Sequence, residues 1–177
     1  MRIISFVISN KYETFEGFLR GNIMDFKSVI LEFESCFPQI REYGENRVAW
    51  YAGKGKKKEY EKIKAAGPYA YFYDFVNHYT VDLLSEKQLS PCLPRLFLFI
   101  EKMAESDDCS VTDLLKVELL EHIRDQSYSI YQVALSLMGP KTRELEKSLD
   151  DYMGKPTPEN ISFKSDKKHH KRRTGRL

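Results

Sequence analysis

The chain has 177 residues, 42% hydrophobic and 31% charged, which is enough apolar material for one buried core and not for several domains. Its net charge of +2 conceals a division. Residues 1–69 carry 12 basic and 9 acidic groups, residues 70–154 carry 8 and 15, and residues 155–177 carry 8 and 2. The apolar run over residues 2–8 is too short for a secretory leader or a membrane span, and Cys36, Cys92 and Cys109 have neither zinc nor disulfide-framework spacing. A cytoplasmic protein with free, mostly buried thiols and no membrane contact is expected.

In chain order, residues 2–8 read as a short strand in preference to an apolar helix, although periodicity fits both. Residues 12–20 have helical spacing and end at Gly21-Asn22. Residues 23–37 follow as a longer helix with Ile23, Phe26, Ile30, Phe33 and Phe37 on one stripe, stopped by Pro38. Residues 42–68, with Gly44, Gly53, Gly55 and a lysine run, read as a surface connection pinned by Trp50 and Tyr51.

After Gly67-Pro68 the texture changes. Residues 69–84 place Phe72, Phe75, Val76, Tyr79 and Leu83 on one face of a helix, and Ser90-Pro91 opens the next, with Leu93, Leu96, Phe97, Ile100 and Met103 as its stripe. Ser110 with Asp113 resembles a capping box for a helix over 111–124, whose Val111, Leu114, Leu115, Val117, Leu119, Leu120 and Ile123 cover so wide an arc that it should be packed on both flanks. A helix over 128–138 is stopped by Gly139-Pro140, and residues 140–153 form a last helix with a thin stripe of Thr142, Leu145, Leu149 and Tyr152. The expected fold is all-α: an antiparallel helical array of the HEAT-like kind, with a short N-terminal strand. It forms one domain over 1–153, with its core in 69–153 and an N-terminal extension in 1–68, followed by a disordered basic tail over 154–177.

Catalytic signals are fragmentary. Glu118 and His122 stand at i and i+4 and could share a divalent ion; Asp74 and His78 repeat the spacing and could form an acid–base pair. Two ligands do not close a metal site, so solvated or half-buried helix pairs are the preferred reading, and no enzyme, metal or cofactor is expected. Ala52-Gly53-Lys54-Gly55-Lys56 lacks phosphate-loop spacing. The basic segments Lys54, Lys56, Lys57 and Lys58, and Lys167, Lys168, Lys171, Arg172, Arg173 and Arg176, are the candidates for nonspecific nucleic-acid contact.

Several segments carry a resemblance: Cys36-Phe37-Pro38-Gln39-Ile40, Phe75-Val76-Asn77-His78-Tyr79, the FIEKMAESDD run at 99–108, Val117-Glu118-Leu119-Leu120-Glu121, and Leu137-Met138-Gly139-Pro140-Lys141-Thr142. They resemble an uncharacterised bacterial family of small acidic helical-repeat domains, immunity-protein-like, which implies binding to another protein and brings no catalytic residues. Together with the acidic 70–154 segment this predicts a non-enzymatic interaction domain that occludes a basic partner such as a toxin. Tyr71 and Tyr73 are the expected anchors, and Glu101, Glu105, Asp107, Asp108, Glu118 and Glu121 the expected electrostatic rim. The alternative is a nucleic-acid accessory protein acting through its tail and lysine loop.

Overall fold

The computed structural model describes residues 24–52, 55–86 and 90–156. The expected strand at 2–8, the helix at 12–20 and the tail beyond residue 156 lie outside them. Among the described residues the chain is all-α, with no strand. Its helices are α1 (Val29–Cys36), α2 (Ile40–Ala52), α3 (Lys56–Ala65), α4 (Pro68–Tyr71, then a π-helical Phe72–Val76, then Asn77–Ser85), α5 (Leu93–Ala104), α6 (Cys109–Leu114, a π-helical Leu115–Leu120, then Glu121–Arg124), α7 (Tyr128–Leu137) and α8 (Pro140–Ser148), followed by one further turn, Asp150–Met153. None of these is long and apolar enough to cross a membrane.

Local chemistry sets the helix ends. Helix α1 starts later than expected because the Asp25 carboxylate accepts from the backbone N–H groups of Lys27 and Ser28 at 2.8 and 2.9 Å, holding residues 26–28 in a turn. At α6 the cap is Asp108 and not Ser110: one carboxylate oxygen accepts from Ser110 N–H and the other from Phe26 N–H, both at 2.9 Å. That carboxyl is held below its ordinary range, first by the Phe26 amide. At α8, Gly139 does not use a left-handed backbone, its φ being −76°. It is needed because a Cβ there would lie 2.3 Å from the Glu101 carboxyl carbon.

Two helices, α2 and α3, fill most of the stretch at 42–68, a correction to the expected surface connection. Ile40, Gly44 and Val48 recur every fourth residue along α2 and are buried, and Tyr60 of α3 is fully buried. Gly44 is a packing residue: a Cβ on it would meet the Tyr60 ring at 2.6 Å, and that ring stacks on Phe75 at 4.9 Å. Trp50 does not pin this segment, being 84% exposed.

Phe33 sits at the centre of an aromatic cluster, with ring centroids 4.8 Å from Phe37, 5.2 Å from Phe99 and 5.8 Å from Phe72. Helix α6 packs against α4, α5, α7 and α8, as its wide apolar arc predicts. Val117 is the exception in that arc and faces solvent. Of the thiols, Cys36 is buried, Cys92 half-buried and Cys109 exposed; burial pushes the Cys36 thiol up to about 11, which leaves it inert.

Candidate functional site

Helices α4 and α6 lie side by side, in contact through their two π-helical turns. Each such turn inserts one extra residue into its helix and closes a wider hydrogen bond: Asn77 N–H reaches Phe72 O in α4, and Glu121 N–H reaches Lys116 O in α6. Around these largely apolar turns stand a few polar residues: Asn77 and His78 just beyond the first, Glu118 within the second and Glu121 and His122 just beyond it. The imidazole rings of His78 and His122 meet edge to face, 5.6 Å between centroids. The two i, i+4 pairs visible in the sequence, Asp74/His78 and Glu118/His122, thus face each other across one seam.

Electrostatics within the seam follow from partial burial. Burial, then the Arg47 guanidinium and His122, hold His78 down to about 4, against a smaller opposing pull from Asp82, so its ring is neutral at pH 7. Glu118 is raised above the ordinary glutamate range by burial, with Glu121 and Asp74 adding repulsion and the Asn77 side chain opposing through a hydrogen bond. Asp74 is raised by burial too, and Arg47 opposes the shift. Arg47 itself donates from Nε to the Asp74 backbone carbonyl at 2.8 Å. Among the described residues no group of three or more His, Cys, Asp or Glu side chains is placed to hold a metal ion.

The same two helices present apolar surface beside these carboxylates. Tyr69 and Tyr73 on α4 are 42% and 63% exposed, and Val117 on α6 is 48% exposed. Tyr69 feels the charges of Asp113 and Glu118, which puts the aromatic and acidic groups in one face.

A family model of a domain of unknown function, DUF7674, matches residues 30–154. The chain belongs to this family. The DUF7674 match runs from α1 through the turn after α8, so the seam lies inside it and the basic segment from Lys155 onward lies beyond it. No curated protein and no solved structure matches the chain.

Within the DUF7674 domain the expected partner-binding residues separate. Tyr71 is a correction: it is fully buried, its hydroxyl 3.1 Å from that of Tyr60 and donating to Glu34 at 3.3 Å, so it cannot anchor a partner. Tyr73 is exposed on α4, and Glu118 and Glu121 lie on the neighbouring α6, both half-buried. Glu101 and Asp108, both part-exposed, are engaged within the fold as caps. The Glu101 carboxylate accepts from Lys141 N–H at 2.7 Å, Thr142 N–H at 3.0 Å and Thr142 hydroxyl at 2.7 Å, capping α8, while Asp108 caps α6. Glu105 and Asp107 are exposed, in the α5–α6 connection. Lys57 and Lys58 are exposed on α3, and Lys56 begins that helix. Lys54, Lys167, Lys168, Lys171, Arg172, Arg173 and Arg176 lie outside the described residues. Tyr69, Val117, Asp113 and Asn77 are not among the partner-binding residues expected from sequence, and only the Tyr69/Tyr73 spacing of four could have flagged any of them for that role.

Proposed function

We propose that this DUF7674 domain is a non-enzymatic binding module, immunity- or antitoxin-like, that takes a basic partner protein on the α4–α6 face. The observation that carries the proposal is exposed Tyr69, Tyr73 and Val117 set among Asp74, Asp113, Glu118 and Glu121. Tyrosines supply large contact area at small entropic cost, and a net-acidic surround steers a cationic partner and repels nucleic acid. The acidic 70–154 segment and the resemblance to immunity-like domains favour the same function.

Co-expression with the product of the adjacent gene, followed by gel filtration and calorimetry, is the direct test. A complex that weakens about 30-fold on Tyr73→Ala and loses association rate on Asp113→Lys is the expected result. If no basic protein binds, while the full chain shifts a DNA duplex at low salt and stops doing so when residues 155–177 are deleted, the proposal fails in favour of nucleic-acid binding.

A further inference from the structure

The seam between α4 and α6 has a one-sided hydrogen-bond inventory. Asn77 is 2% exposed, yet its Oδ1 receives no hydrogen bond. Its side chain is spent on Glu118, which aims the amide into the seam. An uncompensated buried carbonyl oxygen is costly, and native proteins keep few of them. Glu118 and Asp74 have no ion-pair partner within 4 Å among the described residues, and the charges acting on Glu118 are both negative. The neutral His78 ring offers a nitrogen lone pair, not a second donor. What surrounds the seam is therefore an excess of acceptors. Arg47, which acts on both His78 and Asp74, has its Nε turned to a backbone carbonyl, and Asp82 already accepts from the Tyr43 hydroxyl, which leaves Asp74 and Glu118 as the acidic groups of the seam open to a cation.

A ligand that completes this set must be positively charged and must carry several donors in one plane. We propose that Glu118, Asn77 and Asp74, walled by the His78–His122 ring pair, form a pocket for an arginine side chain of the partner. This rests on the docking face proposed above and names the group it recognises. A guanidinium has five N–H donors in a rigid fork, so it can pair with the Glu118 carboxylate while its flat face lies on an imidazole, and it reaches Asn77 Oδ1, which has no accessible surface in the free chain, once the seam side chains part around it. A lysine ammonium is a compact, strongly hydrated point charge and satisfies fewer of these acceptors without losing more water.

The test is proton NMR of the full chain titrated with the peptides acetyl-Gly-Arg-Gly-amide and acetyl-Gly-Lys-Gly-amide. The readouts are the imidazole Cε1–H signals of His78 and His122, assigned with His78→Asn and His122→Asn. The arginine peptide should shift both signals saturably, with Kd on the order of millimolar for one side chain and about tenfold tighter than the lysine peptide. Glu118→Gln, a half-buried isostere that preserves the fold, should abolish the saturable shift, and Asn77→Leu should weaken it about tenfold. Equal shifts with both peptides, or no saturable shift with either, would overturn the arginine pocket. Neither of those outcomes touches the docking face, which stands or falls on complex formation and its sensitivity to Tyr73→Ala.

Discussion

Helix α6 carries a polar cluster at each end of its C-terminal half, and the two are finished differently. At the end, buried Arg124 donates to the Glu146 carbonyl at 2.7 Å, pairs with the Glu146 carboxylate at 3.1 Å and the Asp150 carboxylate at 2.7 Å, and reaches the Gly154 carbonyl at 2.6 Å. Tyr131 of α7 adds its hydroxyl to the same Glu146 carboxylate at 2.8 Å. Donors and acceptors balance, and the network ties α6, α7 and α8 together. One turn earlier, at the seam with α4, acceptors exceed donors and the backbone carries a π turn in each helix. A balanced buried network is what a fold needs; an unbalanced one beside exposed tyrosines is what a ligand can complete.

The sharpest way to break this comparison is to unbalance the balanced end. Arg124→Met leaves the Glu146 carboxylate buried with only the Tyr131 hydroxyl, and should cost about 3–5 kcal/mol in urea unfolding. Adding Glu146→Leu should return most of that loss, since the only carboxylate left without its arginine is then Asp150, which reaches solvent. A single variant costing less than about 1 kcal/mol would mean that water already reaches the site, and the contrast between the ends would collapse.

A smaller effect is expected at the α5–α8 junction. Glu101→Ala removes the acceptor for two backbone N–H groups and one hydroxyl at the start of α8, worth about 1–2 kcal/mol. Hydrogen exchange should then quicken in the first turn of α8 while α4 stays protected.

The two ends also differ in how far they could be read from sequence. The elements from Pro68 onward were legible because their stripes are dense and their ends carry strong punctuation. The stretch at 40–65 was not, because Gly44 looks like a breaker until Tyr60 is seen lying against it, and that contact spans 16 residues. Tyr71 and Tyr73 are separable by spacing, since Tyr71 stands four residues before Phe75 and eight before Tyr79 on the buried side of α4, while Tyr73 falls off that stripe. Both i, i+4 pairs of the seam were visible, but their meeting depends on α4 and α6 being neighbours, which is a tertiary fact. Nothing local marks Arg124 and Glu146 as a buried pair, for the same reason.

The pH dependence of stability separates the ends more finely. The folded state holds His78 near 4 against an ordinary value of 6.5, so the unfolded chain binds more protons between those values. The His78 contribution is therefore fully present above pH 6.5 and is lost as the pH falls toward 4. Allowing for its half-exposed position, the loss is about 1 kcal/mol. Asp74 and Glu118 act with the opposite sign, since their raised folded values favour proton uptake by the native state. Urea midpoints at pH 7 and pH 4.5 should accordingly fall less in His78→Asn than in the parent chain. Identical falls would show that the ring protonates freely and that the seam is wetter than its burial implies.

The smallest effect is the most discriminating, because its sign is reversed. Residues that serve the fold destabilise when neutralised, whereas a carboxylate kept partly buried without a cation is itself a cost to the native state. Glu118→Gln removes a charge that burial, Glu121 and Asp74 all oppose, while the amide can still engage Asn77. The variant should be as stable as the parent or more so by about 0.5 kcal/mol at pH 7, and should lose affinity for the basic partner. Thermal unfolding and calorimetry on the same sample decide it. A drop in stability beyond about 1 kcal/mol would make Glu118 a structural residue like Glu146, and the seam would then belong to the core and not to a partner.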